Sequence, residues 1–261
     1  MSFTPYDWNQ AILTRSEYIE ERMRGGSPVV GISLPEGVLL VSVHRTQRKI
    51  YEIYDRLIFG AIGNQSDIEL MRNSAIDFAH REGFQRSPDD VTAQRLVGSI
   101  LSPAIKKAFG DPFTAPFVFR GLFAEVGEKQ TEDSFYALGY DGEYRNENRY
   151  SVVSGSYEAD NSMLTLLHDN IDLISDRPSA IKLGLEAWGT GKLHARRRVM
   201  PLGRDTEEDE EVEILTVEQI LKEELAHGKL EVGLLERKTP RESKFRLLSS
   251  DELEPVLAEY R

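Results

Sequence analysis

At 261 residues and 40% hydrophobic, the chain is long enough for one large domain with a sizeable core. Zero cysteines exclude disulfides and thiolate metal sites, and a formal charge of −12 speaks against a nucleic-acid partner, which needs a basic footprint. No run approaches the roughly eighteen apolar residues of a membrane span, and the opening MSFTPYDWNQ lacks the basic and apolar regions of a secretory signal, so a reducing, cytoplasmic setting is expected.

Residues 1–8 contain Phe3, Tyr6 and Asp7 but no hydrophobic period, which predicts a short frayed tail. A first helix is predicted over residues 9–24, with Trp8, Ile12, Ile19 and Met23 on one stripe. Gly25 and Gly26 would end it through a positive φ. Two apolar strands follow at residues 28–34 and 37–43, turning at Pro35-Glu36-Gly37. The next run, RKIYEIYDRLIFGAIG from Arg48 to Gly63, splits at Asp55-Arg56 into a hairpin. Its first strand, 50–54, alternates, with Ile50, Glu52 and Tyr54 on one side and Tyr51 and Ile53 on the other. Its second strand, 57–62, is apolar almost throughout, as a strand covered on both faces is. Lys49 stands alone at the mouth of this hairpin.

Two helical patterns come next. Residues 66–81 carry Ile68, Met71, Ala75 and Phe78 at helical spacing, and Ser66 followed by Glu69 matches a capping box. Residues 87–109 continue in the same way, with Asp89-Asp90 as candidate caps and Pro103 as a kink. Strands are predicted at 117–126, 135–140, 143–149 and 150–153, the middle pair joined at Asp141-Gly142. Helices at 157–171 and 178–188, strands at 230–235 and 244–247, and a helix at 251–260 complete the pattern. Residues 191–227 read as an acidic and helical insertion, holding Arg196-Arg197-Arg198, the run Glu207 to Glu211, and an amphipathic stretch with Val217, Ile220, Leu221 and Leu225. The three arginines beside an acidic run read as intramolecular ion-pair partners. Strands, two helices, strands, two helices is not the alternation of a parallel sheet. It predicts a single α+β domain, two antiparallel sheets face to face with a helix pair on each outer face.

Motifs for chemistry are sparse. The histidines at 44, 80, 168, 194 and 227 have no ligand spacing, and no glycine-rich nucleotide loop is present, so neither a metal nor a cofactor is expected.

Several segments in a fixed order carry a resemblance. The start Met1-Ser2-Phe3, the helix opening Arg15-Ser16-Glu17, residues 26–63 with the hairpin from Lys49 to Gly63, Ser66-Asp67, Asp90-Val91-Thr92, Arg95-Leu96 and the Tyr140-Asp141-Gly142 turn together resemble the alpha type of proteasome core subunit, in its actinobacterial form. The resemblance covers residues up to about 155 and has no counterpart for residues 191–227. It implies a four-layer αββα sandwich, the amino-terminal-nucleophile hydrolase fold. It also implies a non-catalytic subunit that forms heptameric outer rings on a separate catalytic beta subunit, gates substrate entry and docks a regulatory ATPase or other activator. By the same resemblance Lys49, with Gly63 and Glu17 nearby, would receive the activator's terminal carboxylate, and the tail with Phe3, Tyr6 and Asp7 would lie over the pore. The stripe from Trp8 to Met23 would supply ring contacts.

Two alternatives share the fold. One is a self-processing peptidase in which Ser27, exposed by cleavage after Gly26, works with Lys49. Against it, Pro28 follows the serine, Val43 occupies the strand position of the family's aspartate, and residues 8–24 read as a structured helix rather than a propeptide. The other is a ring-forming relative that needs no beta partner.

Overall fold

The structure is a computed structural model and describes residues 5–197 and 215–260. Helix α1 (Pro5–Met23) leads into four strands, β1 (Val29–Leu34), β2 (Gly37–His44), β3 (Ile50–Tyr54) and β4 (Leu57–Gly63). Helix α2 (Gln65–Gln85) follows, then α3 (Ala93–Arg95), a π-helical stretch (Leu96–Leu101) and α4 (Ser102–Gly110) run on without a break. Strands β5 (Phe119–Glu125), β6 (Ser134–Leu138), β7 (Tyr144–Glu147) and β8 (Tyr150–Val153) precede α5 (Tyr157–Asn170) and α6 (Arg177–Arg197). The described chain resumes with α7 (Val217–His227), β9 (Lys229–Glu236), β10 (Phe245–Leu247) and α8 (Ser250–Leu257).

Among the described residues ten strands form two five-stranded antiparallel sheets, in the orders β10-β9-β2-β1-β8 and β3-β4-β5-β6-β7. Their facing sides close over Val29, Leu40, Ile58, Leu122, Phe135 and Val153. The outer face of the first sheet is covered by α5, α6, α7 and α8 through Val41, Leu167, Trp188, Leu221 and Val256. The outer face of the second is covered by α2, α3, α4 and the π stretch between them, through Phe59, Phe78, Leu101 and Phe123. This is the four-layer αββα sandwich that the order of elements predicts, with four helices rather than two on one face.

A buried ion pair ties the layers together. Arg237, just past β9, makes a two-pronged contact at 2.7 Å with both carboxylate oxygens of Asp133, and donates to the carbonyls of Leu34, Pro35 and Gly127. Asp133 also accepts from the Ser33 hydroxyl at 2.6 Å, so both sheets meet at one satisfied charge pair.

The structure corrects several local readings. The first helix begins at Pro5, not residue 9; proline suits a first turn because its missing N–H would be unpaired there anyway. Gly25 and Gly26 do not adopt positive φ; Gly26 lies where a Cβ would meet the Ile62 side chain at 2.3 Å. Tyr54 packs with Tyr51 and Ile53 instead of Ile50, because the β3–β4 register shifts between Glu52 and Tyr54. Helix α2 starts at Gln65 with Asn64 as its uncapped N-cap, so the Ser66–Glu69 box does not form; Glu69 instead binds Arg72. Ser87 and Thr92, not the Asp89-Asp90 pair, cap the next helical turns. Pro103 sits in the first turn of α4, and the π stretch before it absorbs the break in the ladder. The helix predicted to stop at residue 188 continues to Arg197, taking in the first seven residues of the 191–227 segment. The partners of Arg196 are Glu223 and Glu224 on α7, while Arg198 and the run Glu207 to Glu211 lie outside the described residues.

Candidate functional site

Lys49 closes the loop between β2 and β3, immediately before β3, where its backbone N–H donates to Glu231 Oε2 at 2.8 Å. That bond crosses from one sheet to the other, since Glu231 belongs to β9. The Lys49 ammonium itself makes no hydrogen bond or ion pair among the described residues. It lines a pocket of about 370 Å³ with Ser27, His44, Arg45, Trp188, Lys192 and Glu224. Burial holds the ammonium below the ordinary lysine value; Glu231 opposes that shift and the charge of Lys192 reinforces it. Glu231 is pushed up by its own burial. Both shifts favour the neutral forms, so desolvation outweighs the attraction between the two groups.

Helix α6 builds the far wall. Trp188 is 1% exposed and donates its indole N–H to the Ser27 hydroxyl at 2.9 Å. One helical turn on, Lys192 donates to the Gly25 carbonyl at 3.1 Å and lies 3.6 Å from Glu224. Glu224 reaches in from α7 and is shared with Arg45 at 3.1 Å and Arg196 at 3.2 Å. Burial alone would raise the Glu224 carboxyl; its three cationic neighbours outweigh that and hold it below the usual carboxylate range. Helix α7 comes this close to α6 because Gly189 leaves room: a Cβ there would stand 2.9 Å from Val217 and 3.1 Å from Leu221.

The serine is fully occupied. Its hydroxyl donates to the Val43 carbonyl, accepts from Trp188 and lies 3.3 Å from the Ser42 hydroxyl. Its backbone nitrogen is in a peptide bond with Gly26, and α1 packs Ile19 and Met23 into a cluster with Val118 and Tyr140. Lys49 and Ser27 therefore share a pocket without a hydrogen bond between them, and the acceptor of the Ser27 hydroxyl is the Val43 backbone carbonyl.

The other predicted site residues stand elsewhere. Gly63 ends β4 with φ +139, and a Cβ there would lie 2.0 Å from the Val118 carbonyl oxygen. Glu17 is exposed on α1. Neither lines the Lys49 pocket within one subunit. Tyr6 and Asp7 fall in the helical backbone of α1, and Phe3 lies outside the described residues. Trp188, Lys192 and Glu224 were not singled out by the sequence; 139 to 175 positions separate them from Lys49, and only the packing of α6 and α7 against β2 brings them together. Among the described residues no His, Asp and Glu cluster is placed to hold a metal ion, and no helix is long and apolar enough to cross a membrane.

The family described as "Proteasome subunit" matches residues 23–187. The "Proteasome subunit alpha" of Actinosynnema mirum is 32% identical over 191 residues, 70% of this chain and 68% of its own length. That of Streptomyces avermitilis is 27% identical over 250 residues, 95% of this chain and 87% of its own. That of an Arthrobacter species is 32% identical over 151 residues, 56% of this chain and 62% of its own.

Proposed function

This chain belongs to the proteasome subunit family, and from that premise we propose that it is a non-catalytic alpha-type subunit of a bacterial, cytoplasmic proteasome core. Copies of it form the outer, heptameric rings on a separate catalytic beta subunit, admit unfolded chains and receive a regulatory ATPase or other activator. The observation that carries this reading is the Lys49 pocket. The hydroxyl that a peptidase would use is bonded to Val43 and Trp188, whereas the cation beside it is left without a partner among the described residues. A serine held in this way, with an acylated nitrogen, is a poor nucleophile. A partly desolvated ammonium is a good receptor for a carboxylate.

In this reading Lys49 pairs with the terminal carboxylate of an inserted activator peptide. Gly63 and Glu17 belong to the same docking region at the boundary between neighbouring subunits, and Phe3, Tyr6 and Asp7 to the gate. Exposed apolar side chains support assembly: Trp8, Leu13 and Tyr18 on α1 are 40%, 58% and 50% exposed, and Phe84 at the end of α2 is 93% exposed. Intact-mass measurement of the purified, assembled protein tests the assignment. The reading expects the 261-residue chain to keep its first helix. A species beginning at Ser27 would make it a self-processing peptidase, and catalytically competent particles built from this chain alone would remove the need for a beta partner.

A further inference from the structure

The lining of the Lys49 pocket is more basic than a single carboxylate requires. Arg45, Lys49 and Lys192 face it against one carboxylate, Glu224, a surplus of two positive charges in a chain whose overall charge is −12. Glu231, behind Lys49, offsets its burial only in part. Glu231 is held against the Lys49 backbone N–H and makes no ion pair with the ammonium among the described residues.

Lys192 is the unusual member. Its side chain is 12% exposed, its ammonium spends one donor on the Gly25 carbonyl, and Glu224 stands at a loose 3.6 Å. Glu224 is claimed more closely by Arg45 and Arg196, so Lys192 does not have it to itself. An ammonium carries three donors, which leaves capacity for a second acceptor in the pocket. The two lysines are also near enough for the charge of Lys192 to depress Lys49. Two desolvated cations lining one pocket repel each other, and an anion reaching both relieves that cost.

We propose that this pocket recognises a dianionic peptide terminus. The α-carboxylate lies on Lys49 and the side-chain carboxylate of a terminal Glu or Asp on Lys192, with the buried indole of Trp188 beneath. The occupant is thus the carboxy-terminal segment of a partner protein ending in an acidic residue. Lys192 acts as a specificity-determining residue beside Lys49. The proposal rests on the docking reading above and adds to it the identity of the last residue.

The test uses the full chain, assembled as it purifies, and fluorescence anisotropy with two synthetic peptides identical except for a terminal Glu or Leu. Wild type is expected to bind the Glu-ended peptide about tenfold more tightly, the effect of one additional charge-assisted contact in a partly desolvated site. Lys192→Gln is expected to bring the two affinities within about twofold of each other, and Lys49→Ala to weaken both. Because Lys192→Gln also touches Glu224, a second measurement is made on the wild type alone: the Glu-ended peptide should lose affinity more steeply with added salt. Equal affinities and equal salt slopes in wild type, or a preference that survives Lys192→Gln, overturn the proposal while leaving Lys49 docking in place. If neither peptide binds and Lys49→Ala changes nothing, the docking reading falls as well.

Discussion

Removing the Ser27 hydroxyl strands the indole N–H of Trp188 in a site that is 1% exposed. A buried donor left unpaired costs about 1–3 kcal/mol, so Ser27→Ala should lower the melting temperature measurably. Peptide turnover by a particle reconstituted with its catalytic partner should remain, and loss of turnover in a folded variant would return Ser27 to the chemistry. Lys49 should behave differently because the role proposed for it depends on charge. Its pKa is lowered by burial, against Glu231 and with Lys192, so affinity for a carboxylate should fall as pH rises from neutrality towards 10.5, earlier than for an exposed lysine. The stability of the subunit should move the opposite way. Between the lowered folded value and the unfolded 10.5, the unfolded chain holds the extra proton, so this group's contribution to stability rises with pH. Lys49→Arg stays charged throughout that range. Any binding it retains should be nearly flat with pH by anisotropy; a wild-type profile equally flat would remove the lysine from the contact.

At the scale of elements, α1 divides its apolar side chains between two duties. The predicted stripe is real, but Ile19 and Met23 are 0% and 1% exposed and pack inside their own subunit. They are not free for a neighbour. Ile19→Asp should therefore unfold the subunit, since it buries an unpaired charge. Leu13→Asp with Tyr18→Asp, both at exposed positions, should leave a folded monomer by light scattering and circular dichroism. Intact rings in that double variant would take α1 out of the interface. Helix faces were legible because they depend on local period alone, and so was the alternation of β3 up to the register shift before Tyr54. The start of α2, the π stretch before Pro103 and the continuation of α6 to Arg197 were not, since each is decided by what packs against it. For the same reason the site was half visible. Lys49 announced itself as a lone cation at a hairpin mouth, whereas nothing in the local sequence marks Lys192 and Glu224, which join the pocket only where α6 and α7 meet at Gly189.

For the whole molecule, the Arg237–Asp133 pair is where the two sheets are fastened, with the Ser33 hydroxyl, the carbonyls of Leu34, Pro35 and Gly127 and the Gly127 amide completing the cage. Taking away one member leaves a buried, uncompensated charge at a cost of about 3–5 kcal/mol. Arg237→Met should lower the denaturant midpoint accordingly. Adding Asp133→Asn should recover part of the loss, a non-additivity expected of direct partners. Additive losses would mean the two residues act independently. Because the clamp lies away from the Lys49 pocket, a weakened particle should still respond to activator as long as it remains assembled.

The central proposal is that the Lys49 pocket receives the carboxy terminus of an activator. Its most direct test is the activator response of particles assembled from this chain and a catalytic partner, with wild type and Lys49→Ala compared on one unfolded substrate. The account predicts that the activator accelerates turnover by wild type, that Lys49→Ala abolishes the acceleration, and that basal hydrolysis of a small peptide is the same in both. Full stimulation of the Lys49→Ala particle would contradict it.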